Sequence, residues 1–184
     1  DETHRAGAST YQKIINYFSP KFLLGMTASP ERTDGFDIFK LFDHNIAYEI
    51  RLQKAMEEEL VVPFHYFGIT DLNINGEIID EKSDFNKLIC DERVERILDI
   101  SDKYGCDDNI IRGIVFCSRK DEAYELANKF NLKGRKSITL TGSQSEDERE
   151  NAIQQLESDN LEEKLEFIFA VDIFNEGIDI PRIN

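Results

Sequence analysis

Residues 113–171 alternate short apolar runs with amphipathic stretches, and this alternation constrains the fold more than any other feature of the chain. The run Gly113 to Cys117 reads as a strand and leads into Ser118-Arg119-Lys120-Asp121, a capping-box pattern that predicts a helix start. A second strand, expected over 137–141, leads to Ser145-Glu146-Asp147-Glu148, a second such pattern, with Ala152, Ile153 and Leu156 following at helical spacing. A third strand is expected over 166–171. Strand, helix, strand, helix, strand implies a parallel sheet with right-handed crossovers, because parallel neighbours need a long return connection. In such sheets ligands sit beyond the carboxyl ends of the strands.

The upstream half reads less regularly. Tyr11, Ile14, Ile15 and Phe18 predict a helix over 9–18, capped at Ser9 or Thr10 and stopped by Ser19-Pro20. Phe22 to Met26 reads as a short buried parallel strand ending in the loop Thr27-Ala28-Ser29-Pro30. Ile38, Phe39 and Phe42 predict a helix over 35–43, with a strand over 45–50 after it. Leu52, Ala55, Met56 and Leu60 predict a helix ended by Pro63, and 64–69 is strand-like. The polar segment that follows carries the turn signal Asn75-Gly76 and suits a connection between two lobes. A helix over 87–104 should then bury Val94, Ile97 and Leu98.

With 40% hydrophobic residues and 13 Phe, the chain can fill a core. No apolar run approaches the roughly 20 residues of a membrane span, so no membrane partner is expected. The cysteines Cys90, Cys106 and Cys117 are odd in number and form no CxxC pair, which suits a reducing cytoplasm. The net charge of −15 opposes a simple nucleic-acid-binding module, whose affinity comes from neutralising phosphates. The chain starts at Asp1 in what reads as the middle of a longer protein.

Five short motifs bear polar chemistry. In Asp1-Glu2-Thr3-His4, adjacent carboxylates could divide a phosphoryl-transfer task, one holding Mg²⁺ and the other orienting water. Thr27 and Ser29 could bond that acidic loop. Ser118-Arg119 and Thr141-Gly142 follow successive strands, where hydroxyls, helix-start N–H groups and an Arg suit phosphates. Gly177 permits close approach of a ligand, and Asp179 could accept a bond from a ribose hydroxyl. Each has an ordinary structural reading when taken alone: solvated carboxylates, turn chemistry before a proline, N-capping, a surface charge.

Taken jointly, the order and spacing of these motifs resemble superfamily 2 helicases and translocases over nearly the whole chain. Asp1 to His4 resembles motif II, Thr27 to Ser29 motif III, Ile114 to Arg119 motif IV, and Val171 to Pro181 motif V. The strings GMTASPERTDG (25–35) and FAVDIFNEGIDIP (169–181) are most similar to the branch of type III restriction-enzyme motor subunits and related DEAD/DEAH-box proteins.

The resemblance implies an α/β fold with two RecA-like parallel-sheet lobes, both incomplete. Residues 1–70 would form the back of the first lobe, 71–86 the connection, and 87–184 a second lobe ending before motif VI. It further implies ATP and Mg²⁺ as cofactors, held in a cleft between lobes. Asp1 would organise Mg²⁺ on the nucleotide through water, and Glu2 would activate the hydrolytic water. His4 with Thr27 or Ser29 would couple nucleotide state to movement. Gly177 and Asp179 would contact nucleotide. Ser118, Arg119, Thr141 and Gly142 would lie near a nucleic-acid backbone. Motif V begins with Val171-Asp172 rather than the Thr-Asp of RNA helicases, which favours DNA, with restriction or repair subunits as partners. No GxxxxGK[ST] loop and no motif VI occur in the 184 residues, so this stretch alone should not hydrolyse ATP appreciably. The alternatives are a RecA-like scaffold whose ATP site has decayed and an isolated α/β domain for another ligand.

Overall fold

The computed structural model describes all residues except 32–34, 71–72, 75–76, 80–82, 107–108, 161 and 175–178. The chain forms two compact units, Asp1–Phe67 and Gly68–Asn184.

The first unit opens with a 3₁₀ turn, Thr3–Gly7, followed by helix α1, Ser9–Phe18. A second 3₁₀ turn, Ile38–Phe42, is capped by the Asp37 carboxylate, which accepts from the Phe39 N–H at 3.1 Å. It replaces the longer helix expected over 35–43, and only Ile38 on it is fully buried. Helix α2, Leu52–Glu57, is shorter than expected and leaves Leu60 exposed beyond its end.

The apolar runs of this unit do not become strands among the described residues. Residues 22–26 form no ladder, and Phe22 is 80% exposed. The runs 45–50 and 64–69 are likewise unpaired in any sheet. The reason is that a parallel strand is not stable by itself: its N–H and C=O groups need a neighbour of matching register. One such bond is present, from the Thr3 N–H to the Met26 carbonyl at 3.0 Å.

In the second unit, strands β1 (Asn73–Ile74) and β2 (Glu77–Ile78) pair antiparallel, while the Asn75-Gly76 turn signal between them lies outside the described residues. The helix expected over 87–104 is two helices, α3 (Phe85–Leu88) and α4 (Asp91–Tyr104). Then β3 (Gly113–Phe116), α5 (Lys120–Leu132), β4 (Ser137–Leu140), α6 (Glu146–Glu157) and β5 (Phe167–Ala170) follow in the expected alternation. The sheet is parallel, in the order β3-β5-β4. The chain skips one place from β3 to β4, then returns to insert β5 between them. Crossovers of one hand that run in opposite directions must lie on opposite faces, so α5 and α6 sandwich the sheet.

The central strand shows the two-residue period directly. Phe167 and Phe169 join Val94, Ala123, Leu126 and Phe130 in a core under α4 and α5, while Ile168 joins Leu140, Ala152 and Leu156 under α6. Phe130 meets Phe167 and Phe169 edge to face, with ring centroids 5.1 and 4.9 Å apart. Each such pair contributes about 1 kcal/mol beyond the burial of its area.

The two helix starts differ. Ser145 and Glu148 form the expected capping box, which opens α6 beside the end of β4. The box expected at Ser118–Asp121 does not form: Arg119 is the residue before the helix and has no side-chain cap. Glu122, one residue further on, reaches back to the Ser118 N–H and hydroxyl at 3.1 and 3.0 Å. Its other oxygen accepts from the Arg93 guanidinium of α4 at 2.7 Å, an anchor that Asp121 lacks.

Candidate functional site

The first unit brings the acidic loop and the hydroxyl loop together. His4 Nδ1 lies 3.0 Å from Thr27 Oγ1 and 3.3 Å from Glu2 Oε2. With its proton on Nδ1, the imidazole serves both oxygens, and rotation of the Thr27 hydroxyl accommodates the other tautomer. Thr27 Oγ1 also accepts from the Ser29 N–H at 3.2 Å. Ser29 thus joins through its backbone, and its side chain is exposed.

Two backbone features set this geometry. Glu2 has φ +50°, the left-handed region that a non-glycine residue enters at a steric cost. The Asp1 carboxylate accepts from the Glu2 N–H at 3.0 Å and supports that turn. Gly25 was not among the residues singled out by sequence, yet a Cβ there would sit 2.4 Å from Phe42 Cζ and 2.7 Å from Thr3 Cγ2. The hydroxyl loop approaches the acidic loop this closely only because residue 25 has no side chain. Asp1 is exposed, and a hard carboxylate beside a second one fits Mg²⁺, which is held by few protein ligands and keeps much of its water. Bound there, the ion would neutralise phosphate oxygens.

In the second unit Ser118 and Arg119 follow the carboxyl end of β3 and Thr141 and Gly142 follow that of β4, whereas Asp179 precedes a segment whose Asn184 N–H bonds the Arg112 carbonyl at the amino end of β3. Ser118 is exposed, but its hydroxyl and N–H both face Glu122, which is buried. The Arg119 guanidinium pairs with Asp121 at 2.6 Å and packs over the Phe85 ring, 5.2 Å from its centroid. This contact holds the Asp121 carboxyl below its ordinary range. Neighbouring Cys117 is half-buried, and burial, reinforced by the Glu122 carboxylate, pushes its thiol up to about 12.

Thr141 is fully buried. Its N–H and hydroxyl reach Gln144 Oε1 at 2.7 and 3.0 Å, and its hydroxyl also meets Ser143 Oγ at 2.8 Å. Its side chain therefore holds the loop, and what the loop offers solvent is Gly142 and Ser143. The Arg149 guanidinium donates to the Gly142 carbonyl at 3.2 Å from the first turns of α6. Gly177 lies outside the described residues. Asp179 is exposed beside Ile180, which is buried under α6 and fixes the end of that loop. Among the described residues no group of three or more His, Cys, Asp or Glu is arranged to hold a metal ion.

Gln144, Glu122 and Arg93 were missed by sequence reasoning. Gln144 stands two residues past a motif that was read only as Thr141-Gly142, and Arg93 is 29 positions from Glu122. The Thr141–Gln144 spacing of three residues is a local signal of the kind that marked Ser145 and Glu148, whereas nothing local links Arg93 to Glu122.

A parallel α/β sandwich with its polar residues gathered at the strand ends is the architecture of a RecA-like motor lobe. Residues 92–184 match the family model described as helicase conserved C-terminal domain, and the chain belongs to that family. Residues 1–32 match the model for the type III restriction enzyme res subunit. The chain is 24% identical over 98% of its length to a 51.5 kDa protein of a Lactococcus phage (isolate 7-9), covering 39% of that protein. It is 29% identical over 67% of its length to the type I restriction enzyme EcoAI endonuclease subunit of Escherichia coli, covering 18% of it. It is 33% identical over 51% of its length to a pre-mRNA-splicing ATP-dependent RNA helicase of Schizosaccharomyces pombe, covering 15% of it. These matches place it in superfamily 2, in a branch resembling restriction-enzyme motor subunits. The chain thus spans about two fifths or less of the curated relatives it matches.

Proposed function

We infer that this chain is part of an ATP-dependent nucleic-acid motor that moves along a strand backbone, acting on DNA. The observation that carries the reading is the 3.0 Å contact between His4 and Thr27, with Glu2 on the same imidazole. It gives the acidic pair a direct mechanical link to a second loop, as a motor needs and an idle site does not.

In this reading residues 1–70 belong to a first lobe and 87–184 to a second, joined through 71–86. Asp1 would hold Mg²⁺, which would neutralise charge on the ATP phosphates, and Glu2 would orient and deprotonate the attacking water. His4 reports the state of Glu2 to Thr27, and Ser29 follows through its backbone. Gly177 and Asp179 contact nucleotide from the second lobe. Gly142 meets the strand backbone, Arg119 does so by exchanging Asp121 for a phosphate, and Ser118 and Thr141 shape the two loops from within. The choice of DNA is supported by the restriction-enzyme relatives and by Val171, whose side chain packs in the core where RNA helicases carry a hydroxyl. Restriction or repair subunits are the partners that fit.

The test is ATP hydrolysis by the complete protein with single-stranded DNA, duplex DNA or RNA added. DNA should stimulate most. Glu2→Gln should keep ATP binding and lower kcat by about 10²-fold or more, because the metal carboxylate remains while the base is lost. ATP binding without turnover in the wild type would favour a scaffold whose site has decayed.

A further inference from the structure

The exposed aromatic ring of Tyr124 lies beside the β4–α6 loop, and its position is controlled. Tyr124 is 51% exposed in the first turns of α5. Its hydroxyl accepts from Gln144 Nε2 at 3.4 Å, while Gln144 Oε1 holds the N–H and hydroxyl of Thr141. One glutamine therefore clips the ring to the loop. Arg149 fastens the same loop from α6 through the Gly142 carbonyl.

Charge gives this ring importance. The chain carries −15, and Arg119, the cation at the neighbouring strand end, is already paired with Asp121. The first turn of α6 adds Glu146, Asp147 and Glu148. Phosphate neutralisation is weak on such a surface, whereas stacking on a ring face needs no net charge. Thr141, the hydroxyl that sequence offered for backbone contact, is buried and spends its bonds within the loop.

The geometry points to Tyr124 as a base-stacking residue: its ring takes the face of one unpaired nucleobase, while Gly142 and Ser143 meet the adjoining backbone. Gln144 braces the loop through Thr141, and its 3.4 Å contact with the Tyr124 hydroxyl is a minor restraint on the ring. This rests on the motor reading above and adds the part of the strand that is recognised.

The experiment compares two strands in fluorescence anisotropy titrations of the complete protein: an oligothymidine of about 20 nucleotides and the same backbone with abasic sites. Their phosphates are alike, so the affinity ratio isolates the bases. Wild-type protein should prefer the thymidine strand. Tyr124→Ala should reduce that preference by about tenfold, and Tyr124→Phe should keep it within about twofold. The slope of affinity against salt should be the same for all three proteins, since no charge is removed. An unchanged preference in Tyr124→Ala overturns the inference. So does an equal loss on both strands, which would mark a merely structural role. If wild-type protein binds neither strand, this inference is overturned, and the motor reading is then decided separately by whether duplex DNA stimulates ATP hydrolysis.

Discussion

Gly25→Ala tests the closeness on which the first unit depends. The added Cβ would lie 2.4 Å from Phe42 Cζ, 2.7 Å from Thr3 Cγ2 and 2.9 Å from Thr3 Oγ1. Carbon atoms rest about 3.5–4.0 Å apart, so Phe42 must retreat by about 1 Å and Thr3 by nearly as much. The Phe42 ring is partly exposed and can tilt, but Thr3 is buried and its N–H is bonded to Met26 O at 3.0 Å. Crowding of this kind costs about 1–3 kcal/mol. In a unit of this size each kcal/mol lowers Tm by about 4–8 °C. His4 follows Thr3 directly, so a shift of its backbone also stretches the 3.0 Å contact to Thr27 beyond hydrogen-bonding range. Thermal unfolding and ATP turnover of the complete protein should both fall. Phe42→Leu in the same background removes the atom that collides most and should recover part of each loss. A Gly25→Ala protein with wild-type Tm and turnover would show that the two loops do not meet as described.

Glu122→Ala should destabilise the second unit by about 3 kcal/mol, read by chemical denaturation. It removes the carboxylate partner of the Arg93 guanidinium and of the Ser118 N–H, although Arg93 keeps its bond to the Leu88 carbonyl and some solvent, which holds the cost toward the lower end of the range for a broken buried pair. A loss below about 0.5 kcal/mol would mean the network is solvated. Cys117 should resist iodoacetamide at pH 8 in folded protein and react once unfolded, as peptide mass mapping would reveal. Its folded pKa of about 12 lies above the ordinary thiol value of 9.0, so its contribution to stability is complete below about pH 9 and lost as pH rises toward 12. Rapid labelling at pH 8 without unfolding would contradict the burial.

The chain's sequence carried the second unit almost entirely. Residues 113–171 alternate strand-sized runs with helical spacing, and that spacing put Ala152 and Leu156 in the core; β5 is apolar on both faces, so its sequence left open which core Phe167 and Phe169 join. The family followed from motif order alone, because the strings at 25–35 and 169–181 are specific in a way that no single acidic pair is.

Tertiary structure decided what distant residues do to one another. Apolar content in Phe22 to Met26 promised a buried strand, but hydrogen-bond partners for a parallel ladder must come from elsewhere in space, and composition does not contain them. A capping box was legible at Ser145 because its partner is three residues away; at Ser118 the carboxylate that won is the one Arg93 holds from another helix. Thr141 looked like a contact and is a buried brace, since the side of the loop on which a hydroxyl falls depends on Gln144 and on the packing beneath it. Local patterns encode local bonds; which surface a polar group finally faces is set by contacts between segments that the chain order keeps apart.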